Sequence, residues 1–367
     1  METEAKDYVR IPAPELKKMA AELLEQYDVP PAHAGIVSDV LVSADLRGVE
    51  SHGIGRLYSY YISRFEQGYM NPRPSLFISR NFGATFSLDG DNGLGHVACH
   101  EAMKKCIGLA GKFGIGLGGI KNSNHFGIAG YYSMMALQEG MIGICISNSQ
   151  PLALPTFSKK RLLGTNPLSI AVPAGKSQPF VLDMATSVVP IGKIEVHRRK
   201  EIKVPSEWGA DSHGLATSDP AQILEGGGLF PLGGPAETAG YKGYGLSAAI
   251  DILAGVLTGS SFLAGVLNAR VSREPTGVGH FVAAIQVEAF MEAAEFRARM
   301  DRFIAELKNA PLADGCEKIY IAGEKEFSQW EQNIKDGVPV HKKVRDELAA
   351  LCLKHNISFP ETYSAQP

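Results

Sequence analysis

From residue 84 to residue 184 the chain alternates short apolar runs with segments of helical period. That alternation constrains its fold more than any other feature. ATFSL (84–88) reads as a strand and DGDNG as the turn after it. Residues 96–113 carry a helical pattern that Gly114 closes. GIGLGGIKNS (114–123) is small and apolar, as a buried strand is. A helix over about 127–139 follows, then buried strands in MIGICISNS, LLGTNPLSIAVP and PFVLDMATS. Strands and helices alternating in this way imply an α/β fold, a mixed sheet with flanking helices.

The flanks differ. Residues 14–27 place Leu16, Met19, Ala20, Leu23, Leu24 and Tyr27 on one face of a helix. Pro30-Pro31 starts a second helix, and a third is expected from Ser51 to about Gln67. The first 70 residues therefore read as all-helical. Beyond the sheet region, 195–243 is long, polar and rich in Gly and Pro, which reads as a functional loop. Residues 245–258 resume a helix, GHFVAAIQVEAF reads as a strand and 290–307 as a charged amphipathic helix. KIYIAGE reads as a strand, and 341–354 as the last helix. A chain of 367 residues suggests two units. These are a helical region, 1–75, packed with 310–367, and a central α/β cofactor-binding domain, 76–309.

Composition excludes several partners. The formal charge is −3, so no polyanion is implied, and the cluster His197-Arg198-Arg199-Lys200 reads as a solvated loop rather than a nucleic-acid patch. Five cysteines, an odd number without a CxxC pair, argue against a disulfide framework and against structural zinc. A reducing, cytoplasmic setting is expected. METEAKDYVR lacks the apolar core of a signal peptide, and SAQP matches no targeting signal. The most apolar stretch, 246–267, contains Asp251 and several Gly and Ser, so it reads as a buried helix with a turn and not a membrane span.

Several motifs can carry chemistry. GIGLGG (114–119) matches GxGxxG, but a helix precedes it and a strand runs through it, so it is no dinucleotide fingerprint. Its glycines read as devices for close packing. GKS (175–177) lacks the glycine a phosphate loop needs at position 170. His96, Cys99 and His100 share a helix face but would need a further ligand, and no metal is expected. In SHGIGRLYSYY (51–61), Ser51 suits a helix N-cap, with Arg56 and Tyr60 one turn in. Hydroxyl, helix dipole, guanidinium and phenol together make a carboxylate trap, or else an ordinary capped helix. His125, in KNSNHFG, sits at a strand-to-helix junction where an imidazole moves protons near neutral pH, or merely caps. GTNP (164–167) and LDMATS (182–187) suit close contacts with a phosphate or ribose, or are simple turns, and Lys242 in GYKGYG suits a phosphate or carbonyl contact.

Read in order, SHGIGRL, NSNHFGIAGYYSMMA, GTNPLSIAVP, VLDMATS, GYKGYGLSAAIDILAG and GHFVAAI resemble the type-2 malate/L-lactate dehydrogenases. That family also holds ureidoglycolate, sulfolactate and diketogulonate dehydrogenases and cyclic ketimine reductases. The resemblance covers about residues 10 to 360. It implies a non-Rossmann, sulfolactate-dehydrogenase-like fold, a homodimer, and a cofactor that is NAD or NADP, with NAD favoured. It implies hydride transfer to or from C2 of a small 2-hydroxy or 2-oxo acid of the malate or lactate type, with cyclic imine reduction as the alternative. By similarity His125 looks like the general acid/base, with His52 competing for that role, and Ser51, Arg56 and Tyr60 like neighbours of the substrate carboxylate. Thr165, Asn166 and Pro167, with Asp183, Met184 and Ala185, look like part of the cofactor site, as do Lys242, Gly323 and Glu324. The chain departs from the pattern where PAETA precedes GYKGYG and where Val188-Val189-Pro190 leads to Gly192-Lys193. The other readings open are a binding or structural protein that has lost catalysis and a metal-dependent lyase or hydrolase using His96, His100 and a further ligand.

Overall fold

The computed structural model describes residues 7–364; METEAK and AQP, read above for targeting signals, lie outside the described residues. The first elements are β1 (Tyr8–Ile11), α1 (Ala13–Glu25), α2 (Pro31–Leu46) and a short α3 (Ser63–Glu66). The sheet region follows with β2 (Phe77–Phe82), β3 (Thr85–Asp89), α4 (Gly95–Phe113), β4 (Ile115–Ser123), α5 (Ala129–Met135), β5 (Ile142–Ser147), β6 (Leu168–Val172) and β7 (Phe180–Met184). Then come α6 (Ile191–Arg199), β8 (Gly209–Ala210), α7 (Pro220–Leu224), β9 (Gly228–Leu229), α8 (Tyr241–Asp251) and β10 (Val278–Ile285). Last are α9 (Ala293–Lys308), α10 (Glu324–Asp336), β11 (Val338–His341), α11 (Lys342–Lys354) and β12 (Tyr363–Ser364).

The apolar runs become one mixed seven-stranded sheet, ordered β2-β3-β4-β10-β5-β6-β7. Only β3 and β4 run parallel. Its register gathers the end of β4, the start of β10, the end of β5, the start of β6 and the end of β7 on one rim. Val278 faces Ser123, His280 faces Ser147, Ile146 faces Leu168, and Leu168 faces Met184. The glycines of β4 let α4 and its neighbours close on the sheet. A Cβ on Gly116 would lie 2.1 Å from the Cys106 carbonyl oxygen, and one on Gly118 would lie 2.5 Å from the Phe86 ring. Below the rim, Cys106, Cys145, Tyr132 and Val282 belong to one buried apolar cluster. A second gathers α1 and α2 with Val338, Val340 and Leu348. Leu16, Met19, Leu23 and Leu24 of α1 are buried there, each large side chain worth about 2 kcal/mol.

The structure corrects four expectations. The first 70 residues are not all helix: β1 pairs with β11 and β12 in a small separate sheet. The stretch 195–243 is not one loop, because α6, α7 and the β8–β9 pair enclose their own small apolar cluster. The basic cluster from His197 ends α6 instead of lying in a loop. KIYIAGE forms no strand; it lies along β7, where Val181 N–H donates to the Ala322 carbonyl (3.0 Å), and leads into α10. GKS, which is no phosphate loop, holds a carboxylate of the chain itself. The backbone N–H groups of Gly175, Lys176 and Ser177 all donate to the Asp301 carboxylate of α9, at 2.8–3.1 Å. All five cysteines are free. Among the described residues no helix is long and apolar enough to cross a membrane.

Candidate active site

The segment after α2 is not the regular helix its pattern suggests. Glu50–His52 and Ile54–Arg56 form 3-10 turns, and Leu57–Ile62 a π-helix. Ser51 caps nothing; its hydroxyl bonds His52 Nδ1 at 2.9 Å. The turn is held instead by Asp45, whose buried carboxyl accepts the Ile54 N–H at 2.6 Å. Gly53 is required there, since a Cβ would lie 1.8 Å from Asp45 Oδ1. Arg56 Nε donates to the Ser51 carbonyl at 2.7 Å, which fixes the guanidinium beside the histidine. The wide π-turn brings two consecutive residues onto one target. The rings of Tyr60 and Tyr61 lie 5.2 and 6.0 Å from that of His125.

His125 sits in the loop between β4 and α5. Its neighbour Asn124 is buried, and its side-chain amide donates to the carbonyls of Asn92 (3.0 Å) and Gly93 (2.9 Å). The Tyr61 hydroxyl lies 2.6 Å from His125 Nδ1, and the Gly127 N–H donates to the same nitrogen at 3.3 Å. The His52 ring stacks on His125 with centroids 5.3 Å apart. Two more imidazoles lie behind. His96, fully buried, meets the Tyr61 ring edge-on at 4.8 Å, and neither of its nitrogens has a partner. His280, also fully buried, bonds the hydroxyls of Ser147 (2.8 Å) and Ser123 (3.0 Å) and stacks on Phe126.

Burial above all holds His125 well below the usual histidine range, and the nearness of His52, Arg56, His96 and His280 disfavours its protonation further. Burial, then Arg56, lowers His52 to about 4. Burial lowers His96 and His280 to about 3. All four rings are therefore neutral at pH 7. The Tyr60 phenol is pushed up to about 12 by burial, against the pull of Arg64, Arg56 and Arg270.

The remaining candidates lie along the rim. Thr186 ties the two loops together, its N–H donating to the Thr165 carbonyl (2.8 Å) and its hydroxyl to that of Asn166 (3.0 Å). Asn166 is buried at positive φ. Its amide donates to the Ser247 carbonyl of α8 and accepts from the Ser149 N–H, so its side chain is fully engaged. Asp183 accepts the Gly130 N–H at 2.7 Å and so joins the end of β7 to the helix that follows His125. It stays open to solvent on one side, while protein crowding on the others raises its carboxyl to about 6. Thr165, Pro167, Met184 and Ala185 are half-buried beside it. Lys242 is exposed in the first turn of α8. Gly323 lies against Val181 on the outer flank of β7. The Glu324 carboxylate is spent on Lys308 and Lys318; these ion pairs overcome burial and lower it to about 2.

Sequence reading missed Asp45, Tyr61 and His280, and saw His96 only as a ligand candidate. His100 points away from it to Glu101. Among the described residues no group of three or more His, Cys, Asp or Glu is placed to hold a metal ion.

Residues 11–349 match the malate/L-lactate dehydrogenase family. The chain is 46% identical over 343 residues to a malate dehydrogenase of Pyrococcus abyssi, covering 93% of this chain and 94% of the relative. It is 40% identical over 336 residues to an L-sulfolactate dehydrogenase of Methanocaldococcus jannaschii, covering 92% and 94%. The solved malate dehydrogenase of Entamoeba histolytica matches with a TM-score of 0.92 at 35% identity, over 96% of this chain and 100% of that one.

Proposed function

Because the chain belongs to the malate/L-lactate dehydrogenase family, it is a dehydrogenase of 2-hydroxy acids, and we propose that its substrate is of the malate type, a 2-hydroxy acid with a second acidic group. The observation that carries this reading is a neutral His125 beside Arg56, with further cations around the neighbouring Tyr60. Arg56 adjoins the histidines, and Arg64 and Arg270 join it around Tyr60. Arg56 grips the carboxylate at C1 and fixes the face presented. Arg270, half-exposed, serves the distal acid; its present partner Glu195 is 3.3 Å away and solvated, a weak pair. Malate and sulfolactate, for which the relatives are named, both carry two anionic groups.

His125 takes the hydroxyl proton in oxidation and returns it in reduction. Its lowered basicity keeps it neutral, ready to accept, throughout the physiological range. His52 stacks on it and shapes the same site. Thr165–Pro167 and Asp183–Ala185 line the rim where a nicotinamide dinucleotide fits, and Lys242 suits its phosphates. The Gly323 backbone is a further contact, whereas the Glu324 carboxylate is already engaged. When bound, the nicotinamide supplies or accepts the hydride at C2. An acidic side chain on that rim suits a ribose hydroxyl and opposes a 2′-phosphate, which favours NAD. The enzyme works as a homodimer in the cytoplasm, two copies covering the charge-free run ILAGVLTGSSFL (252–263), where Ile252, Val256, Leu257 and Phe262 are exposed.

The test follows NADH and NADPH absorbance with oxaloacetate, pyruvate and a cyclic imino acid. Oxaloacetate with NADH is expected to react fastest, and His125→Ala to lose about 10²- to 10⁴-fold in kcat. Equal turnover of pyruvate removes the second acidic group from the reading, and turnover of imines alone moves the protein to imine reduction. Full activity in His125→Ala with loss in His52→Ala would reassign the proton carrier.

A further inference from the structure

Arg64 of α3 is only 2% exposed, and its guanidinium is spent on backbone carbonyls. Nη1 donates to Ala269 (2.8 Å) and Ser272 (3.3 Å), and Nη2 to Glu274 (2.9 Å) and Tyr69 (3.3 Å). Three of these four acceptors belong to the loop 268–274 that precedes β10. Inside the loop the Asn268 side chain accepts the Arg270 N–H (2.9 Å), and the Asn268 carbonyl accepts the Ser272 N–H (2.8 Å). None of residues 267–275 is buried. Arg64, and not an apolar core, therefore decides where this loop sits. The loop carries Arg270, which is half-exposed and pairs with Glu195 of α6 at 3.3 Å. The charge of Arg270 also reaches Tyr60, whose ring lies 5.2 Å from that of His125. A cavity of about 310 Å³ remains between helix and loop, walled in part by Ser59, Ser63, Arg64, Arg270 and Arg273. Arg270 thus stands between an acid of the chain and the substrate's side of Tyr60, with space in which to move.

We propose that Arg64 and Glu195 set the enzyme's preference for a second acidic group: Arg64 pins the 268–274 loop so that Arg270 reaches Tyr60, and Glu195 holds Arg270 until a substrate anion takes its place. Neither residue touches the substrate; both are positioning residues that act through Arg270. The exchange costs little, because a solvated ion pair is weak. A substrate without a distal anion leaves Arg270 on Glu195 and gains nothing from it. Arginine suits position 64 because its planar fork offers five donors in fixed directions, where lysine has three on a flexible stem. The inference rests on the malate-type reading above and names what governs it.

The test compares oxaloacetate with pyruvate, each with NADH, as the ratio of their kcat/KM values. Arg64→Lys is expected to lower that ratio about 10-fold through KM for oxaloacetate, with kcat within about threefold. Glu195→Gln removes the competing charge and is expected to raise the ratio about two- to fivefold, again through KM. In an Arg270→Ala background neither substitution is expected to change the ratio further. Where Arg64→Lys fails to fold, Asn268→Ala, which loosens the same loop, takes its place with the same fall expected. An unchanged ratio in Arg64→Lys, an unchanged or lower ratio in Glu195→Gln, or effects that persist without Arg270 would overturn the inference. Equal kcat/KM for the two oxo acids in the wild type would sink the malate-type reading and this inference with it. A wild type that prefers oxaloacetate, beside variants that keep its ratio, would sink the inference alone.

Discussion

Asp45 shows how one residue governs the site without touching its ligand. It is buried, it holds Ile54, and Gly53 exists to make room for it. Burial pushes its carboxyl well above the ordinary range, against the Ile54 bond that pulls the other way. A carboxyl with a raised pKa binds its proton more tightly folded than unfolded. Its contribution to stability therefore falls as pH rises from the ordinary carboxylate value through the folded one. Asp45→Asn keeps an acceptor for Ile54 without a charge. It is expected to raise the urea midpoint at pH 8, with the gain shrinking toward pH 4. Asp45→Ala leaves the Ile54 N–H unsatisfied and is expected to cost about 1–3 kcal/mol at pH 8 in the same titration. A lower midpoint for Asn than for wild type at pH 8 would show that the charge itself is needed.

At the scale of elements, β4 joins fold and site, because its end delivers His125 and its glycines set how close α4 lies. Gly116→Ala would drive a methyl into the Cys106 carbonyl, and a loss of about 2–4 kcal/mol in urea unfolding is expected. A loss under about 0.5 kcal/mol would mean the helix shifts freely. The glycine-rich strand was legible because no polar residue interrupts it before Lys121. The strands β3, β5, β6, β7 and β10 were legible as short runs rich in apolar residues, even where a Ser, Thr, Asp or His stands among them. β1 was not: four residues give little local period, and its partner β11 lies more than 300 positions away. KIYIAGE has the composition of a strand but shares little of the ladder of β7, so pairing and not propensity decided it. In the site, His125, His52, Arg56 and Tyr60 could be read from their short motifs, and the structure brings them together. Tyr61 could not, because its bond to His125 spans 64 positions and a π-turn has no period in the sequence. Ser51 misled because a serine before a helical run looks like a cap wherever Asp45 happens to be.

For the whole molecule, the proposed dimer makes the sharpest expectation. The run 252–263 carries no charge, and Leu257 is 64% exposed. Leu257→Asp would place a charge at the centre of a contact between copies, and light scattering is expected to report half the mass of wild type. An unchanged mass would place any partner elsewhere. The hairpin β6–β7 carries another molecular property. Its tip is clamped by three N–H bonds to Asp301, and its outer flank is held at Ala322, while its open ends are Pro167 and Met184 on the rim. The rim end is tied as well, through Thr186 to Thr165 and Asn166, Asn166 to Ser247 and Asp183 to Gly130. A beam held at both ends hardly deflects, so this hairpin is a stiff wall along its whole length and cannot swing as a flap.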